Sequence, residues 1–137
     1  MAKRIIKRKA TTVLSRNGNT FTEAQYFSKI RSILRSGFRY WVPMQQALKL
    51  ASRPSQSLNK RLKTEYKCKH CNNWFKKADV EIDHVLPAGS LNNYDDIVPF
   101  IQNLTPEDIK AFQILCKPCH LIKSNSERQL KKKTNGK

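Results

Sequence analysis

Phe112-Gln113-Ile114-Leu115-Cys116-Lys117-Pro118-Cys119-His120-Leu121-Ile122-Lys123 changes period part-way along. Phe112 to Leu115 read as a returning strand, and Pro118 then suits the first turn of a helix carrying His120, Lys123 and Ser124. Those three share one helix face by their i, i+3 and i+4 spacing. Cys119 and His120 are neighbours and diverge by about 100 degrees around the axis, so each can face a different centre. The returning strand needs an outgoing one. Val80-Glu81-Ile82-Asp83-His84-Val85-Leu86-Pro87-Ala88-Gly89 starts with strand alternation and ends at turn residues, which puts Asp83 and His84 near a strand end.

The helix start also completes a second pattern. Cys68-Lys69-His70-Cys71 and Cys116-Lys117-Pro118-Cys119 share the two-residue gap that lets one turn present both thiolates to a tetrahedral zinc. Four sulfurs close the shell, so this Zn2+ is expected to be structural, and His70 to be an exposed bystander. In a domain of this size, zinc binding contributes directly to folding. Two C-x-x-C pairs without a thioredoxin-like βαβ pattern argue for metal and a reducing cytoplasm rather than for disulfides or redox exchange.

The rest of the chain sets the partner class. With 27 lysines and arginines against 10 acids, the 137 residues carry a formal charge of +17, which calls for a polyanion. No stretch approaches the roughly 18 apolar residues of a membrane span, and the basic N-terminus lacks the apolar core of a secretory signal. DNA is the expected partner, and no membrane role is expected. The charge is uneven: residues 1–67 hold 16 basic and 2 acidic side chains, residues 68–137 hold 11 and 8. This predicts a basic flexible arm over 1–19, disordered without a partner and ending in the Asn17-Gly18-Asn19 turn. A basic helical region and linker is expected over 20–64, a zinc-knuckle domain over 65–128, and a basic tail over 129–137.

Within the basic region, Thr20-Phe21-Thr22-Glu23 has capping-box spacing, and Phe27, Ile30 and Leu34 follow at helical intervals, predicting a helix over 22–36. A second is expected from Pro43 to about Ser52, and residues 55–63 read as a linker. Between the helices, Phe38-Arg39-Tyr40-Trp41 suits either base stacking or an apolar junction with snorkelling arginines. Lys3, Arg4, Lys7, Arg8, Lys9, Arg31, Arg35, Arg39 and Lys123 are the candidate nucleic-acid contacts.

Phosphodiester hydrolysis needs an activated water, neutralised phosphoryl oxygens and help for the departing 3′ oxygen. A neutral His84 can act as base, while Asp83 and His120 offer an oxygen and a nitrogen to a divalent cation. Each group also has a plain alternative: an isolated Asp-His salt bridge, or a histidine capping a knuckle. Adjacent strand residues face opposite ways, so Asp83 and His84 can serve one phosphate only where the strand ends or bulges.

Glu81-Ile82-Asp83-His84-Val85-Leu86-Pro87 followed by Leu115-Cys116-Lys117-Pro118-Cys119-His120-Leu121-Ile122-Lys123 resembles the HNH endonuclease family, in its zinc-containing branch and its small phage members. The resemblance covers about residues 66–126. It implies an α+β fold with a ββα-metal (His-Me finger) core stabilised by a four-cysteine zinc site, here with a basic helical N-terminal region. It further implies His84 as general base, Asp83 and His120 as ligands of a catalytic Mg2+ or Mn2+, and 5′-phosphate and 3′-hydroxyl ends. The family's middle Asn, which braces the loop around the base, is replaced by Ala111; Gln113 or Asn103 are the candidate braces. In the insertion over 90–110, Thr105 is expected to cap a helix starting at Pro106, and Asp95 and Asp96 to be structural. The competing expectations are a non-catalytic, zinc-stabilised nucleic-acid-binding module, or a nuclease directed by a partner phage protein in the host cytoplasm.

Overall fold

The computed structural model describes residues 12–135, with side chains through residue 134. The arm cations Lys3, Arg4, Lys7, Arg8 and Lys9, with the disorder expected of that end, lie outside the described residues. The turn at the end of the arm is present: Asn17, Gly18 and Asn19 all take positive φ (51°, 61° and 62°), and Arg16 bridges to Phe21 across it. Asparagine and glycine are the residues that accept this left-handed backbone at least cost.

Helix α1 spans Glu23–Gly37 and α2 spans Val42–Leu50. The capping box of α1 is built two residues later than its expected position. Thr22 accepts from Gln25 N and Gln25 returns a bond to Thr22 N, because Thr20 is bound to Asn17 in the turn and Glu23 to Arg16. Pro43 sits in the first turn of α2 as expected, but the helix stops at Leu50. Ser52 instead opens strand β1 (Ser52–Pro54), which pairs antiparallel with β2 (Thr64–Lys67), itself paired with β3 (Trp74–Phe75). Residues 55–63 are therefore the loop of a hairpin, closed by Ser55 N donating to Lys63 O at 3.0 Å.

Strand β4 (Val80–His84) and β5 (Phe112–Cys116) form a two-stranded antiparallel ladder, and α4 (Lys117–Asn135) follows β5 without a loop. Between β4 and β5 lies α3 (Ile97–Leu104). Thr105 ends this helix instead of starting another. Its hydroxyl donates to Ile101 O at 2.8 Å, and Pro106 restrains the residue before it from helical geometry. Asp96 has a structural use, accepting from Asn92 N at 2.9 Å.

The alternation along β4 divides the packing. Val80 and Ile82 join Leu48 of α2 and Ile114 of β5 in one apolar cluster, while Glu81 and Asp83 face α4. A second cluster joins Phe27 of α1 to Ala88, Leu91, Phe100 and Leu104, with Phe100 and Leu91 fully buried. Phe38 and Trp41 are part of the scaffold: they meet edge to face at 6.0 Å, and Trp41 Nε1 donates to Pro106 O. Tyr40 is left exposed beneath the Arg39 guanidinium. The architecture is mixed α+β, with a third, sulfur-lined cluster of Cys68, Leu115 and Cys116 at the junction of β5 and α4. Among the described residues no helix is long and apolar enough to cross a membrane.

Candidate functional site

The four cysteines converge. Their sulfurs all lie within 4.8 Å of one another, and Cys71 Sγ is 3.9 Å from Cys116 Sγ. Sulfurs about 2.3 Å from a tetrahedral zinc stand roughly 3.8 Å apart, so a small inward movement of the wider pairs lets the cluster close around such an ion. The backbone explains the convergence. Asn72, at φ 61°, lets its N–H close the first knuckle on Cys68 O, and Lys69 N donates to Ile114 O, pinning that knuckle to β5. The second pair straddles the end of β5 and the first turn of α4. His70 is exposed and is not part of the cluster.

The thiols do not ionise alike. Burial opposes ionisation of Cys68, but backbone N–H groups of Cys116, Cys71 and His70 outweigh it and bring the thiol down to about 6. At Cys119, the neighbouring Cys116 sulfur and then burial push the thiol up to about 12, and burial raises Cys116. Four adjacent thiolates become compatible only when a metal ion neutralises them.

A second constellation lies where β4 ends against α4. Asp83 is nearly buried and uses its two oxygens differently. Oδ1 lies 3.4 Å from His120 Nε2, whereas Oδ2 accepts from Gln113 Nε2 at 2.8 Å and from Lys123 Nζ at 2.9 Å. Gln113 reaches it because the two residues are register partners across the ladder. His120 also meets Glu81 through Nδ1. Lys123 Nζ is further bound to His84 O at 3.0 Å and to Glu127 at 2.6 Å, so all three ammonium donors have acceptors. Burial works against its charge, but the bonds to Glu127 and Asp83 prevail and raise its pKa.

His84 closes β4, and its ring leaves the strand on the other side. Nε2 lies 2.8 Å from Leu104 O, and the ring packs edge to face on Phe112, its partner across the ladder. A carbonyl only accepts, so Nε2 carries the proton and the Nδ1 lone pair is left for other chemistry. Because the strand ends here, Asp83 and His84 border one cavity of about 320 Å³ despite their opposite directions. His120, Lys123, Arg35 and Lys131 line it as well.

Of the other candidate cations, Arg35 places its guanidinium 5.5 Å from the Phe100 ring centre, Arg39 covers Tyr40, and Arg31 is half-buried on α1. Ala111 contributes its carbonyl to Val85 N at 2.9 Å. Asn103 donates to Ala88 O in the loop after His84 at 3.4 Å, while Gln113 braces Asp83. Glu81 was not singled out from the sequence. The signal was present in the i, i+2 relation that puts it on the same strand face as Asp83.

Comparison with family models, with curated proteins and with solved structures finds no match for this chain.

Proposed function

We propose that this protein is a metal-dependent DNA endonuclease of the HNH type, built on a ββα-metal core. The protein is a strongly basic α+β module with a four-cysteine cluster able to hold a metal ion. The observation that carries the further step is the pairing of Asp83 Oδ1 with His120 Nε2 at 3.4 Å, in a cavity that His84 also borders. The antiparallel pairing of β4 with β5, across the inserted α3, and the passage of β5 directly into α4 support this reading.

The donor set suits a hard divalent cation. Two ligands side by side on an octahedral ion at about 2.1 Å stand roughly 3 Å apart, and such ions take only a few protein ligands and fill the remainder with water and phosphate. Asp83 and His120 would hold it. When bound, the cation neutralises charge on the phosphoryl and departing oxygens. His84, kept in one tautomer by the Leu104 carbonyl, takes the proton of the attacking water at Nδ1. Lys123 neutralises the second Asp83 oxygen and ties α4 to the end of β4, and Arg35 and Lys131 offer charge to the flanking phosphates. Asn103 takes over the bracing of the base loop, and Gln113 the orientation of Asp83.

A second reading, a non-catalytic zinc-stabilised nucleic-acid-binding module, draws support from the Lys123 ammonium already seated on Asp83 and from Ala111. In it, the Asp-His pair is only an ion pair. End mapping on a labelled duplex with Mg2+ or Mn2+ separates the two. The nuclease leaves ligatable 5′-phosphate and 3′-hydroxyl ends and loses this product in Asp83→Asn. A duplex that is bound but stays whole with either cation leaves the binding module as the answer.

A further inference from the structure

The geometry points to Glu81 as a positioning residue that sets the tautomer of His120 and aims its Nε2 at the cation proposed above; the inference rests on that cation site. Glu81 and Asp83 stand two residues apart on one face of β4 and grip the same imidazole from opposite sides. Glu81 Oε2 meets Nδ1, and Asp83 Oδ1 lies 3.4 Å from Nε2. An ionised carboxylate can only accept, and a neutral imidazole has one N–H. In a neutral ring the closer contact, at Nδ1, takes the N–H and leaves Nε2 as the unprotonated nitrogen nearer Asp83; with both nitrogens protonated, the ring bridges the two carboxylates as an imidazolium. Two lone pairs facing each other repel unless a proton or a metal ion lies between them. Between Nε2 and Asp83 Oδ1 there is therefore room for the proton of an imidazolium or for a metal cation that displaces it.

Glu81 is unsuited to bind that ion directly. The two imidazole nitrogens point away from each other, so a carboxylate on Nδ1 is on the far side of the ring from an ion on Nε2. Its contribution is to orient the ring and make Nε2 more basic, as a carboxylate behind a metal-bound histidine does. Loss of such a partner weakens metal binding by about 10–100-fold.

The test uses the full-length, zinc-loaded protein. Mn2+ binding is followed by the electron paramagnetic resonance signal of the free ion, and the His120 tautomer by its ring 15N shifts without Mn2+. Wild type should show an Nδ1–H tautomer, and His120→Ala should lose the Mn2+ site. Glu81→Ala should bind Mn2+ about 10–100-fold more weakly, with the proton moving to Nε2. Glu81→Gln, whose side-chain oxygen still accepts from Nδ1, should recover the tautomer and most of the affinity. Equal zinc content and far-UV circular dichroism in all four proteins show that the scaffold is intact. An Nε2–H tautomer in wild type, unchanged Mn2+ affinity in Glu81→Ala, or equal affinity in wild type and His120→Ala would each overturn the inference. If these readouts behave as expected but DNA stays uncut, the positioning of His120 stands and the nuclease reading falls.

Discussion

His84 is tied to Leu104: the imidazole Nε2 donates to the carbonyl that closes α3, over 2.8 Å. The insertion between the ladder strands thereby reaches the candidate base, and the packing of α3 sets where that base points. Phe100, with no exposed surface, joins Leu104 in anchoring α3 against Phe27, Ala88 and Leu91. Phe100→Ala should cost about 3–5 kcal/mol of stability, as truncations of buried aromatics do. Urea unfolding of the zinc-loaded protein measures this, and a cost under about 1 kcal/mol would mean that α3 is not held by this cluster.

Lys123 should matter to stability as well as to the site. Removing one member of a buried ion pair costs about 3–5 kcal/mol, and partial exposure of Lys123 reduces this to about 2 kcal/mol. Lys123→Ala should lose that much, whereas Lys123→Ala combined with Asp83→Asn should lose less than the two single changes added together. Additive losses in denaturant unfolding would show that the pair is not coupled.

The turn that leads into α1 gives a pH dependence of known sign. The bonded Arg16 guanidinium holds the Glu23 carboxyl below its ordinary value near 4.5. A lowered folded-state value means that the pair contributes fully above the unfolded value and is lost as pH falls through the folded one. A carboxyl-detected NMR titration should place the Glu23 midpoint below 4.5 in wild type and return it to the ordinary range in Arg16→Gln. Identical midpoints would remove the ion pair from solution.

The four-cysteine site and the proposed cation site should separate. A chelator that takes only magnesium should leave far-UV circular dichroism unchanged, while removal of zinc should unfold the region around the cysteines, because its binding free energy is folding free energy there. Cys116→Ser should imitate zinc loss. Retention of ordered structure after complete zinc removal would contradict a structural role for the cluster.

Much of this arrangement was legible because the chemistry is local. The C-x-x-C spacings, the alternation of Val80 to His84, and Pro118 at a helix start each depend on a few adjacent residues, and all appear where expected. Capping was legible in kind but not in register. Thr20 and Glu23 have the right spacing, yet tertiary partners Asn17 and Arg16 claim them and leave the box to Thr22 and Gln25. Thr105-Pro106 reads as a helix start, yet the Thr105 hydroxyl bonds back to Ile101 O and the residue closes α3 instead. The β1-β2-β3 sheet escaped because its strands are two to four residues long and none is buried throughout. For the candidate site, residue types offer Asp83, His84 and His120 as candidates. The i, i+2 relation to Asp83 places Glu81 on the same strand face, but its contact with His120, like those of Gln113 and Lys123 with Asp83, depends on pairing register and the approach of α4, which no short window of sequence contains.

The most direct test follows supercoiled plasmid with Mg2+ or Mn2+, with wild type and His84→Ala, while DNA affinity is measured on the same samples. Wild type should convert the plasmid to nicked or linear form. His84→Ala should bind within about twofold of wild type and cut about 10²–10⁴-fold more slowly, the range typical of a lost general base. Equal cutting by the two proteins, or no cutting by wild type under either cation, would contradict the assignment of His84 to catalysis.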